Sequence, residues 1–325
     1  MSEIISNVES VTTAAKIVSA QKVETSQLCI DGKDLQVLKE ERAPSYKELV
    51  TRMELPEDEI WALYTDNGDI IYWHNADKMD TNLANNAFEG SGFSQLPRGL
   101  NYEKMTKCKS TFANCNNLKI VYQDFNELET ADSMFYLCSN LEKFEGDLGK
   151  LQNSNTMFHS CRELFSFKSN LDSLQDGTRM FPITPKLTNF NVPLPKLEKG
   201  EVMFAYSGLT SFNVTLESLV NGRNMFYDCS SLTSFASKLK TDDAEYSPLI
   251  DGTNMFTACK LDAPSVENIL TSLQPFTDGS EHIMTMRIQS AAVEKFNEIT
   301  GNTLTLNRQY QNVPFRGWTV QVAII

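Results

Sequence analysis

Long apolar runs are missing from this sequence. No segment approaches the roughly 18 consecutive apolar residues that a membrane-crossing helix needs, so membrane insertion is not expected. Basic residues are outnumbered, with 29 Lys and Arg against 42 Asp and Glu and a formal net charge of -13. Such a surface repels a phosphate backbone, which argues against nucleic acid as a partner. Histidine is scarce, limited to His74, His159 and His282. No two of the cysteines form a Cys-x-x-Cys pair, so zinc lacks its usual ligand spacing. Glycine-rich phosphate loops and nucleophile elbows are also absent. The first residues lack a basic stretch followed by an unbroken apolar one. Ser2 follows Met1, and the chain closes on Gln-Val-Ala-Ile-Ile without a cysteine motif. The expectation is a chain made and first folded in a cytoplasm, with neither export signal nor lipid anchor.

What is abundant is apolar and aromatic side chain, 41% hydrophobic and 10% aromatic over 325 residues, which is enough to order most of the chain. Much of it is periodic. Taking a Met-Phe pair as phase marker, the Phe returns at Phe112, Phe135, Phe158, Phe181, Phe204, Phe226 and Phe256, in steps of 23, 23, 23, 23, 22 and 30. Leu128, Leu151, Leu174, Leu197, Leu219 and Leu249 each lie seven residues before a marker. Leu118, Leu141, Leu164, Leu187 and Leu232 lie six after one, and Phe144, Phe167, Phe190 and Phe235 nine after. Gly177, Gly200, Gly222 and Gly252 lie four before, where a positive φ is expected of each coil. Phe88 marks a degenerate first coil, which brings the count to about eight. A unit of this length cannot bury its own Leu, Met and Phe, but stacked copies cover one another. The step of 30 is accounted for by a loop near Thr241-Asp-Asp-Ala-Glu-Tyr-Ser-Pro248.

The segments SMFYLCSNLEKF, NTMFHSCRELFSF and RNMFYDCSSLTSF resemble the Met-Phe, Cys, Leu units of BspA-like leucine-rich-repeat surface proteins. The resemblance covers residues 82–262 and extends to repeat proteins in the virions of crAss-like phages of Bacteroides-type gut hosts. Departures from the pattern are Thr184 and Ser207 in place of Cys, and Thr111 before Phe112. The resemblance implies an α+β chain built on a right-handed leucine-rich-repeat-like solenoid.

Four regions are expected. Residues 1–24 carry Ile4, Val8, Val11, Ala15 and Val18 at heptad spacing, which fits a short oligomerising or anchoring helix, dimeric or trimeric, or equally an amphipathic helix lying on its own protein. Residues 25–81 read as a small β module with hairpins at Asp31-Gly32 and Asn67-Gly68 and a helix capped by Ser45 and Glu48 between them. Residues 82–262 form the solenoid. Residues 263–325 form an α/β cap, with a helix over Val266–Leu273 capped by Ser265, a strand over His282–Ile288, a second helix and a final strand. The closing Gly-Trp-Thr-Val resembles the terminal module of the same phage proteins.

No residue set points to catalysis, and no cofactor or metal is expected. Cys115, Cys138, Cys161, Cys229 and Cys259 all lie three after a marker, so they read as a buried ladder of small apolar thiols, within disulfide reach only if their geometry allows. His159 precedes Cys161 by two residues, but Asp242, Asp243 and Glu245 read as a solvated charge run. Three functions are in contention. The resemblance favours a non-enzymatic virion protein, a head or tail fibre or decoration, bound to capsid or tail proteins through its N-terminus. The alternative is a bacterial cell-surface adhesin for host protein or glycan, and a glycan hydrolase is remote. In the first two, Tyr136, Tyr206 and Tyr227 are the candidate surface contacts, or else half-buried scaffold residues.

Overall fold

The computed structural model of the protein describes residues 102–325 without a break, residues 86, 88–92 and 94–96, and three short strands upstream. Among the described residues the architecture mixes α and β, with few helices and several small sheets, none of them closed.

The upstream strands are β1 (Val18–Ser19), β2 (Trp61–Tyr64) and β3 (Ile70–His74), paired antiparallel in that order. β2 and β3 flank the expected Asn67-Gly68 turn, with Trp61 opposite His74. Val18 lies opposite Ala62 in β1, so the heptad helix expected to include it does not reach this position. A β-branched residue with an extended partner at hand is well suited to a strand. Ile4, Val8, Val11 and Ala15, the Asp31-Gly32 hairpin and the helix capped by Ser45 lie outside the described residues.

From residue 86 to 261 the backbone keeps returning to pair with itself one repeat later. Parallel bridges join Thr130 to Asn153, Asn153 to Asp176, Asp176 to Lys199, Lys199 to Asn221 and Asn221 to Asp251. Every one of these residues stands five before a marker Phe, so pairing register and sequence phase coincide. Two-residue strands add to this: β5 (Ile120–Val121), β7 (Lys143–Phe144) and β8 (Ser166–Phe167) form one parallel sheet. β9 (Ser211–Phe212) pairs parallel with β10 (Ser234–Phe235), and β4 (Lys107–Lys109) with β6 (Thr130–Asp132).

At each marker, alternate amides aim along the stack. Ser133, Phe135 and Leu137 donate to the carbonyls of Asn155, Met157 and His159 at 2.8, 2.9 and 2.9 Å. The degenerate turn keeps these bonds, from Asn86, Phe88 and Gly90 to Lys109, Thr111 and Ala113. Left-handed backbone brackets the marker, two residues before and two after, as at Ser133 and Leu137 (φ 56° and 59°). The repeated glycines are not among these positions, contrary to the sequence expectation. Their role is steric: a Cβ on Gly177 would sit 3.0 Å from the Met203 thioether, and one on Gly200 2.9 Å from Met225 Sδ. A small residue there admits the next turn's methionine, and Cys108, Ala131 and Ser154 fill the same place in earlier turns.

The core is two columns of rings. Marker rings from Phe88 to Phe256 lie 5.3–5.7 Å apart with planes within 14° of parallel. Phe125, Phe144, Phe167, Phe190, Phe212 and Phe235 form the second column at 5.5–6.4 Å, meeting the first edge to face. Each such ring contributes about 2–3 kcal/mol by burial and about 1 kcal/mol more by ring geometry. The seven residues gained before Phe256 leave its ring 5.5 Å from Phe226, because Thr241, Asp242, Asp243 and Glu245 loop out into solvent.

The last turn becomes β11 (Gly252–Leu261), a ten-residue strand that heads a four-stranded sheet. Behind it come α1 (Ala263–Ser272), β12 (His282–Ile288), α2 (Val293–Thr300), β13 (Gln311–Phe315) and β14 (Trp318–Ile324), with sheet order β11-β12-β14-β13. The cap of α1 is Asp262, not Ser265: its Oδ1 accepts from the Ser265 amide at 3.0 Å. Ser265 instead gives its hydroxyl proton to Asp262 and accepts from the Phe235 amide at 2.7 Å, tying the helix to the preceding turn.

Candidate functional site

The cysteine ladder is settled by its hydrogen bonds. Cys115, Cys138, Cys161, Cys229 and Cys259 each donate Sγ–H to the carbonyl of the preceding turn's marker Phe, at 3.0–3.3 Å. Where the pattern departs, Thr184 gives its hydroxyl proton to Phe181 O at 2.7 Å and Ser207 Oγ lies 3.3 Å from Cys229 Sγ. All six described cysteines are buried free thiols. Burial raises the pKa of Cys229 to about 11 and pushes Cys138, Cys161 and Cys259 well above the ordinary thiol value. Thiols so held are poor nucleophiles. His159 does not serve Cys161: its Nδ1 lies 2.9 Å from Ser160 Oγ while the thiol proton goes to Phe135 O. Asp242 pairs with exposed Lys238 at 2.8 Å, and Asp243 and Glu245 are exposed. Among the described residues no group of three or more His, Cys, Asp or Glu is placed to hold a metal ion, and no helix is long and apolar enough to cross a membrane.

What does gather is aromatic. Tyr136 and His159 occupy the same position in consecutive turns, one after the marker, with ring centroids 5.2 Å apart and planes inclined by 52°. Two turns further on, Tyr206 and Tyr227 lie 5.5 Å apart and inclined by 65°. Tyr206 is 47% exposed and the other three rings are half-buried. Between the pairs, Ile183 follows Pro182 at the corresponding place on the intervening turn, and Leu137 follows Tyr136. The three tyrosines singled out in the sequence therefore lie on one side of the stack, and His159 and Ile183 join them. Their shared signal is the pair of positions directly after the marker, read turn by turn.

This strip is held at a conformational cost. Leu137, Ile183 and Tyr206 all take φ of 59°, whereas Asn114 and Asp228 hold the equivalent positions in other turns. Asn and Asp tolerate the left-handed region, and bulky or β-branched residues are outliers there. Partial burial, then the neighbouring Tyr227 and Asp228, raises the Tyr206 pKa, so the phenol stays protonated at neutral pH. Burial lowers the His159 pKa, which leaves its imidazole neutral as well. The strip is thus an uncharged, partly apolar ridge on an acidic protein. Other exposed aromatics, Tyr122 and Phe165, lie near the short strands, where Lys143 covers the Phe165 ring at 5.6 Å.

No protein-family model matches the chain, and no curated protein or solved structure matches it either.

Proposed function

We propose that the chain is a non-enzymatic structural protein of a phage virion, a head or tail fibre or decoration protein that presents a right-handed leucine-rich-repeat-like solenoid to the host surface. The observation that carries this is the stack itself. From Phe88 to Phe256, bonds along the axis, two ring columns and a thiol ladder repeat turn after turn, and the regular side-chain inventory is consumed in holding them. Such a body suits display better than chemistry. Its resemblance to repeat proteins of crAss-like phage virions supplies the setting, with the capsid or tail as attachment partner and the N-terminal residues Ile4, Val8, Val11 and Ala15 as the self-associating segment of a dimer or trimer.

Antibodies raised against the chain test this directly. Labelling of purified virions at a regular position by immunogold, with light scattering giving a dimer or trimer for the full-length protein, is the expected result. Label confined to the bacterial envelope would transfer the protein to the adhesin class, and a monomeric full-length chain would remove the self-association device.

A further inference from the structure

We infer that the strip formed by Tyr136, His159, Ile183, Tyr206 and Tyr227 is a binding site for a neutral, linear glycan running parallel to the stack axis. The inference deepens the display role proposed above and rests on it only for its biological setting, since the site is defined by the turns themselves.

Three observations converge on this ligand class. The first is spacing. Rings of the strip on successive turns lie 5.2 Å apart for Tyr136 and His159 and 5.5 Å apart for Tyr206 and Tyr227, which is comparable to the length of one hexopyranose in an extended chain. A ligand with the same repeat keeps its units in step with the turns. The second is the shape of the contacts. The rings of each pair are inclined by 52° and 65°, so one ring can lie under the apolar face of a sugar while the other borders its edge. Each pair therefore grips one sugar unit, and the pairs are three turns apart from centre to centre. A glycan engaging both needs about four units, and the second grip is then intramolecular, which raises avidity. The third is charge. Phenol and imidazole are both neutral at pH 7, and the whole chain carries -13, a combination that disfavours an anionic polymer.

Polar groups of the right kind flank the rings. Asp228 follows Tyr227 and is exposed, and exposed Arg179 pairs with half-buried Glu201 of the adjacent turn at 3.8 Å. Hydroxyl-rich ligands need such donors and acceptors at the rim while the rings supply the contact area.

The test is affinity electrophoresis of the full-length protein through gels containing soluble neutral polysaccharides (laminarin, galactomannan or dextran) or an anionic one (polygalacturonate). Retardation by at least one neutral polymer and none by polygalacturonate is expected. Replacing Tyr206 and Tyr227 together by Ala, or Tyr136 and His159 together, should each weaken binding about tenfold, with matching oligosaccharides shorter than about four units bound no better by the parent than by either double variant. A Phe165→Ala variant, altered on another part of the surface, should bind like the parent and controls for general damage. Migration unchanged in every gel, retardation that survives both double variants, or a shift in solution mass of the double variants, which would make the strip a protein contact, would each overturn the assignment. Virion labelling is read separately, so a failed glycan test leaves the structural role standing, and the reverse also holds.

Discussion

At the scale of single residues, the turns impose two demands that composition alone does not reveal: left-handed backbone beside the marker and small side chains facing the next turn's methionine. Val202 meets the first badly, a β-branched residue at φ 59° where Asn224 and Asn254 hold the equivalent place in later turns. Replacing Val202 by Asn should stabilise the protein by about 1 kcal/mol, visible as a raised melting temperature, and a lowered one would show that Val202 packing outweighs backbone strain. Gly208 represents a harder limit, because a Cβ there would lie 2.0 Å from the Pro185 carbonyl oxygen. Gly208→Ala should cost about 2 kcal/mol or more in denaturant unfolding. The six described thiols, by contrast, are already well served. Treated with a thiol reagent near pH 9, Cys138, Cys161, Cys229 and Cys259 should remain unmodified until the protein unfolds, as peptide mapping would show, because burial holds thiolate formation at Cys229 to about pH 11 and pushes the other three well above the ordinary thiol range. The marker Phe and its Leu partners were legible from spacing alone. Phe212 was not, since a turn of 22 residues moves it one place early, although the Ser-Phe dipeptide it shares with Phe167 and Phe235 betrays it.

At the scale of elements, legibility followed local signal strength. α1, β12, α2 and β14 all show in the sequence because each is a run of seven or more residues with its own pattern. β13 does not: Pro314 lies inside Gln-Asn-Val-Pro-Phe, and proline argues against a strand unless that strand lies at an edge, which is where β13 is. The cap of α1 was misplaced by three residues because Asp262 and Ser265 are both good capping residues, and only the pairing of Ser265 with the Phe235 amide separates their roles. Two substitutions distinguish them. Asp262→Ala removes the cap and should cost about 1 kcal/mol. Ser265→Ala leaves the buried Phe235 amide without its acceptor and should cost about 1–3 kcal/mol, loosening the junction between the last turns and the C-terminal sheet. Equal and negligible costs for both in chemical denaturation would mean that neither bond holds the junction.

For the whole molecule, the decisive property is that each turn touches mainly the turns on either side. Ion pairs follow the same rule, linking Lys150 to Glu127, Lys168 to Glu145 and Lys199 to Asp176 across one step, but every lysine is exposed to water and each pair is worth little. Stability therefore resides in the ring columns, and it is additive along one dimension. Phe181 lies at the middle of that dimension, stacked between Phe158 and Phe204 at 5.3 and 5.5 Å and meeting Phe167 and Phe190 edge to face. Its replacement by Ala should cost about 3–5 kcal/mol locally. In a protein with a single shared core that loss would speed amide exchange everywhere by the same factor. In a stack it should be concentrated at the axial amides of Phe158, Phe181 and Phe204 and fade toward Phe112 and Phe256, because intact turns on each side still cover one another. Native-state hydrogen exchange resolved by peptide reads the gradient, and a uniform acceleration from Phe112 to Phe256 would show that the turns fold as one indivisible unit.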